Sequence, residues 1–372
     1  MKKIAILAPY VGTINRGAET FVIELTKKLS SEYIIDVYSQ ATELSISNNI
    51  CNVTVHKGII FKLHEKLYSE SRVYRKIINR FYYLIPDVMF QKVFTKRSFD
   101  IIKDGNYDLL FPNNGIWGAK FSAKLREDMN VPFIYTGHGG IGLGEKYIIE
   151  TMPNAYICLT QKHLDWANAI KKSESTNTLV IPNGVCVSKF KSNEKGNNPV
   201  TILSVAALTE FKRHELTIKA VAKIPNVNLL ILGKGEEEDY LKELATELLP
   251  GRCIITSTNY DDIKNYYANA NLFVLPSREE PFGIVYLEAM ASNLPIVAPD
   301  DSQRREIISD AGLYCDVENA DEYAQTIQKA LKSNWGEKPL ERAKLFDWEI
   351  IAGKYAKLID QIINENTREL RL

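Results

Sequence analysis

The chain has 372 residues, 45% hydrophobic and 25% charged, with a formal net charge of +0. That length suits two globular domains, each able to bury its own core. The zero net charge argues against global attraction to nucleic acid and leaves room only for a local patch. No apolar run reaches the length of a membrane span. The five cysteines, Cys51, Cys158, Cys186, Cys253 and Cys315, are scattered. They form no metal-type or redox-type pair, so a reducing cytoplasm is the simplest setting.

Met1-Lys-Lys opens like a signal peptide, but the apolar run from Ile4 is short and leads into a polar loop containing Gly12 and Gly17. It reads as a buried first strand. Further along, short apolar runs alternate with helical patterns. Strands are expected at 3–9, 34–39, 109–112, 133–136 and 155–159, then at 201–206, 228–232, 252–256, 272–275 and 295–298. Such alternation implies βαβ units and parallel sheets covered on both faces, hence an α/β fold of two doubly wound domains. Residues 185–199 end in Lys191-Ser-Asn-Glu-Lys-Gly-Asn-Asn-Pro199, a linker composition. The expected domains are therefore 1–190 and 191–350, followed by a helical segment 351–372. Ligands of doubly wound domains bind at the carboxyl ends of the strands, which places the expected site in the cleft between the two.

Residues 57–97, opened by Lys57 and closed by Arg97, carry ten Lys or Arg against three Asp or Glu, with eight interleaved aromatics. A basic, aromatic-rich helix of this kind lies on an anionic membrane surface or is a solvated face with its aromatics packed inward. No nucleic-acid module accompanies it.

The most informative stretch is 271–291. An apolar strand, Asn271-Leu-Phe-Val-Leu-Pro276, runs into a loop carrying Glu280, Phe282 and Gly283, and a helix with Glu288 in its early turns follows. Free N–H groups at a helix start bind phosphate well. Two carboxylates there would repel a bare phosphate, so they fit the hydroxyl donors of a sugar and a ribose on the same ligand. The residues thus read as a pocket for a nucleoside diphosphate bearing a sugar. Three other segments stand out. Gly17 closes a strand-to-helix turn, which lets backbone approach a ligand, and no G-x-G-x-x-G fingerprint is present. His138 follows a strand among Gly137, Gly139 and Gly140. Ile181-Pro-Asn-Gly-Val185 is a turn signal.

Glu280 and Glu288, set in Pro276-Ser before and Leu287-Glu-Ala-Met-Ala291 after, resemble the E-x7-E motif of retaining glycosyltransferases with the GT-B fold, family 4 in particular. The resemblance covers nearly the whole chain. It implies two Rossmann-like domains facing across a cleft, the N-terminal one binding acceptor and the C-terminal one binding nucleotide sugar, with 351–372 as a helix returning to the first. Glu280 would hold the transferred sugar and Glu288 the ribose. The backbone of Phe282, Gly283 and Ile284 would hold the phosphate, with Gly233 at a strand end beside the nucleotide and 256–260 along the base. Gly17 would lie near the diphosphate and acceptor. His138 resembles a histidine that bonds the donor sugar or lies by the reacting centre, and Lys212 a lysine that neutralises the diphosphate.

Ala206-Ala207 stands where the family carries Gly-Arg, which removes one expected cation, and Cys186 replaces a usual Asp. Arg213, Arg16 and Arg278 are candidate substitutes. The implied activity is sugar transfer from a UDP- or GDP-linked donor to an acceptor hydroxyl in cell-surface polysaccharide or glycolipid synthesis, cytoplasmic or peripheral at the inner membrane face, with no metal or other cofactor. A GT-B sugar-nucleotide epimerase and a non-catalytic nucleotide-sugar-binding homologue are the alternatives.

Overall fold

A computed structural model describes residues 1–12, 17–39, 53–57, 86–113, 115–191, 199–278 and 280–369. Arg16 and most of the basic segment 57–97 lie outside these. The chain divides into two compact units, Met1–Pro182 with Ile351–Leu372, and Asn183–Ile350.

In the first unit, strands β1 (Lys2–Leu7), β2 (Tyr33–Ser39), β3 (Val53–Lys57) and β4 (Leu109–Pro112) form a parallel sheet in the order β3-β2-β1-β4. Strands β5 (Ile134–Thr136), β6 (Ala155–Cys158) and β7 (Asn177–Val180) form a second parallel sheet. A bridge between Leu110 and Phe133 joins the two, with Leu110 N–H donating to Pro132 O at 2.9 Å. β1 is buried from Ile4 to Leu7, as a strand covered on both faces must be. The last helix, Trp348–Glu369, spans the division, and its residues from Ile351 pack in this unit. Tyr33 Oη donates to Ala356 O at 3.1 Å, Tyr355 Oη pairs with Thr136 Oγ1 at 3.0 Å, and Lys2 pairs with Asp360.

The second unit is a six-stranded parallel sheet in the order β10-β9-β8-β11-β12-β13. Its strands are β8 (Val200–Val205), β9 (Val227–Leu232), β10 (Cys253–Thr256), β11 (Leu272–Val274), β12 (Ile296–Pro299) and β13 (Gly312–Cys315). Strand addition reverses direction between β8 and β11, the switch point of a doubly wound sheet.

The sequence reading put the boundary at 190/191, whereas residues from Asn183 belong to the second unit. Hydrogen bonds explain the difference. Val185 N–H donates to Phe346 O at 2.9 Å, Trp348 N–H to Val185 O at 3.1 Å, and Ser292 Oγ to Phe190 O at 2.9 Å. Strands β3, β7 and β13 were not expected. Each pairs on one side only. No helix among the described residues is long and apolar enough to cross a membrane.

Candidate functional site

At the switch point, the loop leaving β8 lies against the loop leaving β11, and three consecutive links stitch them together. Arg278 N–H donates to Phe211 O at 2.9 Å. Lys212 Nζ forms an ion pair with Glu280 Oε2. Arg213 Nε donates to Pro276 O at 2.7 Å. Lys212 and Glu280, which the sequence assigned to different parts of a ligand, therefore neutralise each other here. Their side chains are 24% and 12% exposed, so water screens the pair only partly.

The helix Ile284–Ala291 starts beside them. Its N-cap, Gly283, sits at φ 85 and supplies no side-chain cap. By contrast, the Asp301 carboxylate caps the helix Ser302–Ile308 by accepting from Arg304 N–H at 3.0 Å. Among the described residues, the N–H groups of Gly283, Ile284 and Val285 have no backbone acceptor, and Ile284 and Val285 are partly exposed. This is an open anion-binding end. A Cβ at Gly283 would lie 2.6 Å from the Tyr286 ring, so glycine is required by both φ and space. Phe282 offers only its backbone, because its ring is buried against Phe346.

Glu288 is 4% exposed, and Oε2 accepts from Tyr267 Oη at 2.8 Å. Burial pushes its pKa up to about 7, against the opposing effects of the Tyr267 hydrogen bond and of Lys189. Near it, Lys189 Nζ lies 3.7 Å from the centroid of the Tyr260 ring and pairs with Asp261. The stretch expected along the base thus ends in an aromatic face already capped by a cation. Gly233, at the strand end, allows a close backbone approach. A Cβ there would meet Ala206 O at 1.9 Å, so it lets two loops touch through their backbones.

Of the candidate replacements for the cation missing at Ala207, Arg213 is turned inward. It is 8% exposed and paired with Glu318 at 2.7 Å. Its guanidinium thus faces Pro276 and Glu318. Arg278 is exposed and has no side-chain partner among the described residues.

In the first unit, Gly17 begins the helix Gly17–Leu29, whose Phe21 packs edge-on against His138 with centroids 4.5 Å apart. His138 Nε2 is enclosed and has no partner among the described residues, and burial pushes its pKa down to about 3. The ring is therefore neutral at physiological pH, able to donate or accept. Beneath its loop lies a buried network. Gly139 N–H donates to Glu145 Oε1 at 2.8 Å, Tyr156 Oη donates to Glu145 Oε2 at 2.8 Å, and Tyr156 Oη meets His163 Nε2 at 3.1 Å.

Sequence reasoning missed Tyr267, Lys189, Arg304 and Glu145. Nothing local marks Tyr267 or Arg304, whose contacts with the motif span 21 and 27 residues. The one available signal was Glu145, an acid at a position of inward helical phase.

Parallel sheets in doubly wound order, with an uncapped helix start beside a carboxylate–lysine pair, define a two-unit α/β protein with a candidate anion-binding site. Comparison with known proteins makes this specific. The description "Glycosyl transferases group 1" matches residues 188–344. An uncharacterized glycosyltransferase of Methanocaldococcus jannaschii is 37% identical over 283 residues, 67% of this chain and 72% of that one. The lipopolysaccharide core biosynthesis glycosyltransferase LpsE of Rhizobium meliloti is 33% identical over 153 residues, 40% of this chain and 44% of its own. In structure, Anabaena HepE, solved with UDP and glucose, aligns with a TM-score of 0.74 at 18% identity, over 97% of this chain and 100% of that one. The chain belongs to the group 1 glycosyl transferases; it is a glycosyltransferase with the GT-B fold.

The raised pKa of Glu288 has a measurable consequence. The folded state keeps this proton up to about 7, while the unfolded chain loses it near the ordinary glutamate value of 4.5. Folded protein binds more protons across that window, so stability falls as pH rises through it, by on the order of 3 kcal/mol from this group. Glu288→Gln removes the titration. Urea melts on either side of the window should show a flatter pH dependence for the variant, and equal slopes would contradict the assignment.

Proposed function

We propose that this enzyme transfers a sugar from a UDP- or GDP-linked donor to an acceptor hydroxyl with retention of configuration, in the synthesis of a cell-surface polysaccharide or glycolipid. The observation that carries the reading is the uncapped helix start at Gly283, beside Lys212 and Glu280 and one turn before Glu288. The diphosphate would take the free N–H groups and draw Lys212 away from Glu280. Glu280, released, would accept from the sugar hydroxyls, while Glu288 would accept from the ribose. His138, its Nε2 without a partner among the described residues, would hydrogen-bond the substrate near the reacting centre. Arg278 would supply the second cation in place of Ala207.

No carboxylate is proposed as a covalent nucleophile. The acceptor would attack from the face the diphosphate leaves, and a diphosphate oxygen would take its proton. The protein then contributes positioning and charge stabilisation, and no resident metal is needed. HepE was solved with UDP and glucose, and LpsE is named for lipopolysaccharide core synthesis; both support a nucleotide-sugar donor and a cell-surface product. The missing cation at Ala207 favours a second reading, a homologue that binds the donor without turning it over.

Calorimetric titration with UDP and GDP tests the donor site. Ribose hydroxyls favour ionised Glu288, so binding below about pH 7 should release a proton and show a buffer-dependent heat, absent in Glu288→Gln. Lys212→Ala should bind at least roughly tenfold more weakly. Proton uptake, or unchanged affinity in both variants, would contradict these roles. Hydrolysis of the donor by wild type separates an enzyme from a binding protein.

We also propose peripheral attachment of a cytoplasmic enzyme to anionic membrane through 57–97, on its charge and aromatic content. The protein should float with anionic liposomes at low salt and stay behind with neutral ones. Failure to float would leave a solvated basic face.

A further inference from the structure

We infer that Arg213 and Arg304 are positioning residues of the donor site, two buried guanidiniums that hold successive backbone carbonyls, Pro276 and Ser277, and so fix the loop that delivers Glu280 and the helix start before a ligand arrives. The inference rests on the donor-site reading above.

β11 ends at Val274, and the carbonyls beyond it leave the sheet ladder. Buried carbonyls must find other donors. Each of the next three is taken by a side chain. Tyr286 Oη donates to Leu275 O at 3.1 Å. Arg213 Nε donates to Pro276 O at 2.7 Å. Arg304 Nη2 donates to Ser277 O at 2.7 Å and to Ser277 Oγ at 3.0 Å. Tyr286 and Ser277 are fully buried and Arg304 is 3% exposed. The same Tyr286 ring stands against Gly283, so the clamp reaches the helix start directly.

A buried guanidinium is costly unless its charge and donors are matched. Both are matched, Arg213 by Glu318 and Arg304 by Asp301. Asp301 also caps its own helix through Arg304 N–H, which ties the clamp to a rigid element. Arg213 reaches Pro276 because its backbone lies at φ 54, a conformation uncommon for a side-chain-bearing residue. That turn sends the neighbouring cations in different directions, Lys212 to Glu280 and Arg213 to the loop.

The test compares Arg304→Ala, Arg304→Lys, Glu280→Ala and the double variant Arg304→Ala/Glu280→Ala in the full chain. Two readouts are used: amide exchange of the peptide spanning 275–285 without nucleotide, and hydrolysis of UDP-glucose and GDP-mannose. Arg304→Ala should raise exchange in that peptide and lower turnover by roughly tenfold to a hundredfold. Arg304→Lys, which keeps one donor and the charge, should fall between it and wild type. Because Arg304 acts partly through the loop that carries Glu280, the double variant should lose less turnover than the product of the two single losses. Unchanged exchange in Arg304→Ala, or losses that multiply in the double variant, would overturn the inference. Should Arg304→Ala fail to fold, Arg304→Lys carries the same comparison. Full turnover in Glu280→Ala would instead refute the donor-site reading, and the role of Arg304 with it.

Discussion

The structure of the second unit turns on one backbone conformation, the positive φ of Gly283. It lets the chain pass from the β11 loop into the helix Ile284–Ala291 without a side chain over the helix end. A capped helix would satisfy its own first N–H groups. Among the described residues, this one leaves them open. The surrounding residues preserve that opening: Phe282 is buried away from it, Tyr286 braces it, and the carbonyls leading to it are held by Tyr286, Arg213 and Arg304.

The charges at this opening are arranged as a closed pair. Lys212 and Glu280 satisfy each other, so neither stands as an unpaired charge in a partly buried place. A diphosphate offers Lys212 more negative charge than one carboxylate does, and a sugar offers Glu280 hydroxyl donors. Exchange of partners therefore costs less than charging an apolar pocket would. Glu288 follows the same logic in another form. Burial pushes its pKa up to about 7, and further donors from a ligand would favour its ionised form.

Much of this was legible in the sequence because its causes are local. Parallel strands buried on both faces appear as continuous apolar runs, which is why β1, β8 and β9 were readable. Some edge strands lack that signal: β7, Asn177–Val180, is only partly buried, and β13 begins with a glycine. The turn at Glu280–Gly283 was legible because a positive φ and an open helix end demand particular residue types at fixed spacing. The inward turn of Arg213 was not legible because spacing alone cannot show that φ 54 swings it away from Lys212. Arg304 and Tyr267 meet the motif only after the sheet has formed. The boundary was placed too late because Val185 and Phe190 sit in a stretch of linker composition, while the bonds that claim them come from Phe346 and Ser292.

A crystal soaked with UDP or GDP tests the central claim most directly. The expected density places the diphosphate against the N–H groups of Gly283, Ile284 and Val285, with Lys212 Nζ moved from Glu280 onto a phosphate oxygen. A nucleotide bound elsewhere, or bound there with the Lys212–Glu280 pair intact, would contradict it.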